Sequence, residues 1–294
     1  MVKETGVTTL AKALSLQCEK TDPIQVRPVG QTYKNLNQRN NKMKKRITST
    51  LLIAVFAFLA VDAIAQETEE HVRMEYILCT LNDGFTFQDV INDAKEYGEK
   101  VAADGSKYNQ FLLRPMMTGE RLDGITHIIA GMWPDGKELY KEYGNYVNKY
   151  IDEDLENSPH TCRITYATMD RIVINDFREN ETTDQRWPLQ LSDCNLKEGI
   201  SMDYAIQVQK DVHQAAVKNG MRGYGVHFQV PYLGFQDSEI DFISAAWWQS
   251  FEHRGNMAQN YYKIAGTHGQ SMNSVASCKN DRAYFVERIF TTWE

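Results

Sequence analysis

Cys79-Thr80-Leu81-Asn82-Asp83-Gly84 is matched 115 residues later by Cys194-Asn195-Leu196-Lys197-Glu198-Gly199. The same interval of 115 residues separates Trp133 from Trp248. Cysteine and tryptophan are rare, and rare residues seldom recur in register by accident. The spacing therefore predicts an internal duplication of a unit of about 100 residues, which places two similar folding units in tandem.

On both sides of these two stretches, the pattern of hydrophobic residues predicts the same order of strands and helices twice. The predicted strands are 74–81, 110–117, 125–133, 163–174, 189–196, 224–232, 240–248 and 283–290, and the predicted helices follow Thr86 and Gly136 and span 201–218 and 251–264. This β-α-β-β-α-β order is that of a ferredoxin-like unit, whose strands lie in the order 4-1-3-2. We therefore predict an α+β protein of two tandem ferredoxin-like units, 70–176 and 189–294, joined by a polar linker at 177–188.

The amino-terminal region has the pattern of an export signal. After Met43 come three basic residues, an apolar stretch at 47–61 and small residues before Gln66, which predicts a signal peptide at 43–65 cleaved after Ala65. The alternative is a signal anchor, but the apolar stretch falls short of the roughly 20 residues that span a bilayer. Residues 1–42 are then either a mis-assigned start or a disordered extension. We expect an exported protein, periplasmic or secreted, that is not inserted in a membrane after cleavage.

The charge of the chain disfavours nucleic acid as a partner. The net charge is −7 over 294 residues, and removal of the basic amino-terminal segment would leave a more acidic protein. An acidic surface repels phosphate backbones and anionic lipid headgroups. No basic run, phosphate-binding loop or dinucleotide fingerprint argues otherwise.

The cysteines are consistent with export. Of five cysteines, Cys18 precedes the predicted cleavage site and four remain, which allows three pairings. The duplication selects Cys79 with Cys162 and Cys194 with Cys278, so that each unit joins its own ends. Four buried thiols are the alternative. No metal site is predicted, because no two of these cysteines are close in sequence.

The two copies of the β-α-β-β-α-β order resemble the dimeric α+β-barrel superfamily, which includes monooxygenase-like, EthD-like and NIPSNAP-like proteins. The segments Cys79–Gly84 and Gly131-Met132-Trp133-Pro134-Asp135 also look like those of uncharacterised exported bacterial proteins of this build. The resemblance implies an intrachain pseudo-dimeric barrel. It does not imply one activity, because the superfamily contains cofactor-free monooxygenases, haem-dependent enzymes and members without known chemistry.

Candidate site residues are those at which the two copies differ. His127 matches Phe242, and the pair His227 and Gln229 matches Phe111 and Leu113. A histidine could serve as a general base or an axial haem ligand, although a half-buried structural histidine explains the same pattern.

Three further residues are weaker candidates. Arg114 could assist a bound anion or oxygen, or it could lie on the solvated face of an edge strand. Trp133 and Trp248 could line a ligand pocket, but an aromatic residue at a strand end more often closes the core.

Two functions follow from these candidates. The first is a small-molecule-binding or structural protein, which could form homo-oligomers and take a small apolar ligand. The alternative is a monooxygenase-like or haem-handling enzyme with His127 or His227 in its pocket. The sequence does not identify a cofactor.

Overall fold

The computed structural model describes residues 71–119, 122, 124–151, 158–177, 185–235, 240–265 and 272–292. All of them belong to one unit, Glu67–Glu294. The predicted signal peptide at 43–65, the segment 1–42 and residues 178–184 of the predicted linker lie outside the described residues.

The described chain contains eight strands and five α-helices, in the order that the hydrophobic pattern predicts apart from one added turn of helix. They are β1 (His71–Leu81), α1 (Phe87–Ala103), β2 (Asn109–Met117), β3 (His127–Trp133), α2 (Gly136–Asn145), β4 (His160–Asn175), β5 (Arg186–Leu196), α3 (Met202–Lys218), β6 (Tyr224–Leu233), β7 (Phe242–Trp248), α4 (Phe251–Ala265), α5 (Met272–Val275) and β8 (Ala276–Thr291). A π-helical turn, Tyr146–Tyr150, continues α2. Thr86 and Asp89 form a capping box at the start of α1, as their spacing predicts.

The eight strands form one closed antiparallel barrel in the order β1-β3-β2-β8-β5-β7-β6-β4. The order within each half is the predicted 4-1-3-2. Two seams, β2–β8 and β4–β6, join the halves and close the barrel. The interpretation that Arg114 lies on an edge strand is therefore wrong. Its strand β2 is paired on both sides, because closure of a barrel pairs both sides of every strand.

Strand β5 begins earlier than the sequence predicts. Strand β5 starts at Arg186, within the stretch expected to be linker, because Trp187 and Pro188 pair with Val286 and Phe285 of β8. Arg186 also forms an ion pair with Glu287 at 2.9 Å. Pairing with a distant strand extends β5 beyond the limit that its local polarity suggests.

Both predicted disulfides are confirmed. Cys79 lies opposite Cys162 in the β1–β4 pairing and is bonded to it, and Cys194 is bonded to Cys278 across β5 and β8. Each bond therefore joins the end of the first strand of a half to the start of its last strand.

Alternate residues of each strand face the barrel interior or the helices. The interior is mainly apolar and aromatic, and it includes Met74, Tyr76, Leu78, Phe111, Leu113, Ile128, Ala130, Leu189, Leu191, Ile243, Ala245, Tyr284 and Val286. On the outside, α3 and its neighbours pack against β6 and β7, whereas α1 and α2 pack against β1, β2 and β3.

Among the helices that the structure describes, none combines the length and the apolar character needed to cross a membrane.

Candidate functional site

A hydrogen-bonded group of polar side chains interrupts the apolar barrel interior at the β4–β6 seam. Asp170 of β4 lies opposite Gln229 of β6, and neither side chain is exposed to solvent. Gln229 Nε2 donates to Asp170 Oδ2 at 2.7 Å, and the Tyr76 hydroxyl lies 2.9 Å from Gln229 Oε1. We call Tyr76, Thr168, Asp170, His227 and Gln229 the interior polar group.

Asp170 is the acceptor at the centre of this group. Its Oδ1 accepts from the Thr168 hydroxyl at 2.6 Å, while Oδ2 also lies 3.4 Å from Nδ1 of His227. A buried carboxylate is costly unless donors surround it, and three side chains supply donors here. With Nδ1 of His227 directed at the carboxylate, Nε2 is directed away from it and can accept a hydrogen bond.

The interior polar group lies next to partly exposed side chains at one end of the barrel. Ile172 lies opposite His227 across the seam and is 42% exposed, whereas His227 itself is 6% exposed. Trp187 and Trp247 are partly buried at the same end, where Trp247 pairs with Leu189. We call Ile172, Trp187, His227 and Trp247 the barrel mouth.

Trp247 gives the barrel mouth a hydrogen-bond donor. Its ring stands edge-on to the His227 ring, with centroids 4.7 Å apart. Its Nε1 is buried and has no hydrogen-bond partner among the described residues. Gly225 makes room for this indole, since a Cβ at that position would lie 2.6 Å from Nε1. A buried donor therefore belongs to a ring that lies beside the imidazole of His227.

Further polar side chains lie in the interior away from the mouth. Arg282 of β8 forms an ion pair with Asp193 of β5 at 2.9 Å, and both are largely buried. The Tyr76 and Tyr166 rings stack with centroids 5.1 Å apart. Burial, followed by the nearby Asp170 carboxylate, raises the pKa of Tyr76 well above its usual value. The Tyr76 hydroxyl therefore keeps its proton and can donate it in a hydrogen bond.

The candidate residues from the sequence fall on two different faces of the sheet. His227 and Gln229 lie together in the barrel interior. Trp133 and Trp248 lie on the helix-facing side, where Trp133 Nε1 donates to Glu142 at 3.3 Å and Trp248 stacks under Arg254. The expected pocket of Gln229 with both tryptophans is therefore not assembled. The reason is strand parity, which places Trp133 and Trp248 on the outer face of β3 and β7.

His127 and Arg114 lie near each other, also on the helix-facing side. Both contact Phe87 at the start of α1, and the Arg114 guanidinium is also 4.4 Å from the Phe285 ring centroid. His127 is completely buried, with Nδ1 2.9 Å from the Thr126 hydroxyl and Nε2 3.0 Å from Nδ1 of His160. Burial and the neighbouring His160 lower the pKa of His127 to about 4.

The residues do not fit a haem iron at either histidine. Thr126 and His160 occupy both ring nitrogens of His127, which lies outside the barrel interior. His227 is held between Asp170 and Trp247, and buried side chains fill the interior beside it. A porphyrin at His227 would have to displace this packed core. No iron ligand is assigned to either residue.

Sequence reasoning missed Tyr76, Asp170, Trp247 and His160. Tyr76, Asp170 and Trp247 belong to runs that the sequence predicts as ordinary strands, and His160 precedes the predicted strand 163–174. Asp170 did carry a signal, because a carboxylate at a core-facing strand position calls for a partner. The other three have no local pattern that separates them from packing residues.

Comparisons with known proteins identify no relative by sequence. No family model matches the chain, and no curated protein matches it. Among solved structures, a chlorite dismutase from Candidatus Nitrospira defluvii in complex with imidazole aligns with a TM-score of 0.45 at 9% identity, covering 74% of this chain and 92% of the other. An anthrone oxidase-like protein aligns with a TM-score of 0.42 at 10% identity, covering 77% and 98%. At these values the two structures say nothing about the chemistry of this chain.

Proposed function

We propose that the protein binds a small molecule through the barrel mouth, with His227 and Trp247 as the polar contacts. The ligand class is a mainly apolar, aromatic molecule that carries a hydroxyl group. The proposal rests on two neighbouring rings. The His227 imidazole contacts Asp170 through Nδ1, and the indole of Trp247 beside it has a buried N–H without a hydrogen-bond partner among the described residues.

The ligand class follows from the donors and acceptors at the mouth. Asp170 holds Nδ1 of His227, so Nε2 can accept a proton from a hydroxyl group. The same hydroxyl oxygen can accept from Nε1 of Trp247. A buried donor without a partner costs free energy, which a ligand oxygen would recover. The surrounding aromatic and aliphatic side chains favour an apolar body over a charged one.

A thermal-shift screen of substituted phenols and naphthols tests this proposal. We expect at least one compound to raise the unfolding midpoint of the wild-type protein. His227→Ala and Trp247→Phe should weaken that effect, because each removes one polar contact. His213→Ala is the matched control, since His213 is a partly buried histidine that bonds Tyr224 on the helix-facing side. No stabilising compound, or equal binding by His227→Ala, would contradict the proposal.

A second candidate is an enzyme that uses His227 as a general base. The pairing of Asp170 with Nδ1 favours it, because a carboxylate that orients the imidazole leaves Nε2 available to accept a proton. His227 Nε2 would then remove a proton from a hydroxyl or an acidic carbon of the ligand.

Proton exchange separates the enzyme from a passive binder. A cyclic 1,3-diketone in deuterated water should exchange its acidic C–H faster in the presence of wild-type protein. His227→Ala should abolish the acceleration, and Asp170→Asn should reduce it while retaining side-chain volume. Exchange at the buffer rate with wild-type protein would leave binding alone.

We also propose that the two halves are duplicated ferredoxin-like units of a dimeric α+β-barrel protein. The repeated β-α-β-β-α-β order and the matching disulfides support this origin.

We propose, in addition, that the protein is exported. The two disulfides support export, because such bonds persist in oxidising compartments. Intact mass would test cleavage after Ala65, and light scattering would test the predicted homo-oligomer.

A further inference from the structure

Three strands bring a second group of chemically reactive side chains together on the helix-facing side of the first half. Cys79 of β1 lies opposite His127 of β3 and opposite Cys162 of β4. His160 lies two residues before Cys162 on β4. Ligand atoms of Cys79, His127 and His160 lie within 4.8 Å of one another. This group is separate from the interior polar group, because strand parity places it on the other face of the sheet.

The two imidazoles are already spaced as metal ligands. His127 Nε2 and His160 Nδ1 are 3.0 Å apart. Two nitrogen ligands of a tetrahedral zinc ion, with bonds of roughly 2.0–2.1 Å, stand about 3.3 Å apart. The Thr126 hydroxyl holds the other nitrogen of His127, as the outer hydrogen-bond partner of a metal-bound histidine does. A small separation of the rings would admit an ion between them.

We propose that this group binds one Zn²⁺ when the Cys79–Cys162 disulfide is reduced, with Cys79, Cys162, His127 and His160 as ligands. In the bonded state both sulfur atoms are engaged with each other. Reduction frees the Cys79 thiol, which stands beside the two imidazoles, and the Cys162 thiol, which is bonded to Cys79 before reduction. Two cysteines with two histidines form a common structural zinc site. Two thiolates balance the charge of the ion, so burial leaves no net charge in the site.

The electron balance requires a two-electron reductant, such as a dithiol. The dithiol gives two electrons and two protons to the disulfide, becomes a disulfide itself and leaves Cys79 and Cys162 as thiols. Binding of Zn²⁺ then releases one proton from each thiol. Cys162 is exposed, so its end of the disulfide is open to a reductant, whereas Cys79 and His127 are buried. The exposed Cys162 end also gives the ion a path of entry.

The second half provides a built-in comparison. Cys194 lies opposite Phe242, as Cys79 lies opposite His127. Leu196 lies opposite Ala276, as Leu81 lies opposite His160. The second disulfide therefore has neither histidine beside it. Reduction should create a zinc site at the first disulfide and none at the second.

The test uses the full chain, reduced anaerobically with a water-soluble phosphine, which becomes a phosphine oxide, and titrated with Zn²⁺. We expect one tightly bound Zn²⁺ per reduced chain, and a visible tetrahedral spectrum when Co²⁺ replaces it. The matched variant is His127→Phe with His160→Ala, which leaves the first disulfide without histidines, as the second one is, and keeps all five cysteines. It should lose the tight site. His213→Ala should retain it.

A second measurement keeps the proposal testable if the reduced chain is unstable. Zn²⁺ should raise the unfolding midpoint of the reduced wild-type chain and leave the midpoint of His127→Phe with His160→Ala unchanged. Absence of a rise in wild type, or an equal rise in both proteins, would overturn the proposal. An equal rise would mean that thiols alone bind the ion.

Discussion

The two seams that close the barrel have opposite chemistry. In the β2–β8 seam, Leu113 lies opposite Val286, and both are buried apolar residues. In the β4–β6 seam, Asp170 lies opposite Gln229 at the corresponding step, and both are buried polar residues. Two equivalent pairs of strands therefore meet in different ways: β2 and β8 through an apolar contact, and β4 and β6 through a hydrogen bond. Because an apolar pair closes the β2–β8 seam, the polar pair of the β4–β6 seam is the candidate for a role beyond closure of the barrel.

The strongest test of this comparison is Asp170→Val. The substitution removes the acceptor that Thr168, Gln229 and His227 share. Gln229 keeps its contact with the Tyr76 hydroxyl, whereas Thr168 and His227 lose the carboxylate. Loss of one partner from a buried polar group costs about 3 kcal/mol, more than the apolar contact returns. We expect the free energy of unfolding, measured in urea, to fall by about that amount.

Adding Gln229→Leu to Asp170→Val supplies the control. The double variant places in the β4–β6 seam the Leu–Val pair of the β2–β8 seam. It should recover the part of the lost stability that comes from Gln229, since removal of both partners of one hydrogen bond is nearly neutral. Thr168 and His227 still lack their acceptor in this variant, and it should lose phenol binding. A double variant as unstable as the single one would mean that the polar seam is required for folding.

Gly225→Ala should have a smaller effect, confined to the barrel mouth. The added methyl carbon would lie 2.6 Å from Trp247 Nε1 and 3.2 Å from the backbone oxygen of Ile174. Overpacking of this kind costs about 2 kcal/mol, and displacement of the indole should also weaken phenol binding. Urea unfolding and the thermal-shift assay measure the two effects.

Gly144→Ala is the matched control for that substitution. Gly144 lies in α2, and a Cβ there would meet nothing within 4 Å. We expect this change to stabilise the protein by about 0.5–1 kcal/mol, because alanine is the better helix former. Unchanged stability or binding in Gly225→Ala would mean that the indole can move without cost.

The smallest predicted effect concerns pH and the helix-facing side of the first half. Burial raises the pKa of Glu75 from 4.5 to about 7, although a hydrogen bond from Tyr143 at 2.6 Å opposes the rise. The folded state therefore keeps a proton that the unfolded state loses, so this group destabilises the protein as the pH rises from 4.5 to about 7. Because Glu75 is partly exposed, solvent screening reduces the expected loss to about 1 kcal/mol.

Glu75→Gln should remove this part of the pH dependence. Urea unfolding of both proteins at several pH values measures it, and the difference between them should grow in favour of the variant as the pH rises. Parallel stability curves for the two proteins would show that Glu75 does not titrate in this range.

Some features follow from local spacing alone. The interval of 115 residues between Cys79 and Cys194 predicted the disulfide pairing, because each half must join the same two strands. Strand and helix periodicity predicted the element order, and that order predicted the arrangement 4-1-3-2. Alternation along β6 also grouped His227 with Gln229, and the contrast with Phe111 and Leu113 marked them as unusual.

Other features depended on contacts between distant segments. Alternation states which residues of a strand share a face, but it does not state which face turns inward. For that reason Trp133 and Trp248 were grouped with Gln229, although they face the helices. The β4–β6 seam, which places Asp170 beside His227 and Gln229, has no local signal, because it joins strands from different halves.

The sequence by itself determined the order of the strands and the pairing of the cysteines, since each of these rests on spacing and periodicity within one half. Only the tertiary structure decided the inner and outer faces, the two seams and the neighbours of each histidine. The physical reason is that burial and hydrogen bonding depend on side chains from strands that are far apart in the chain. His160 beside His127 and Asp170 beside His227 are both products of that long-range pairing.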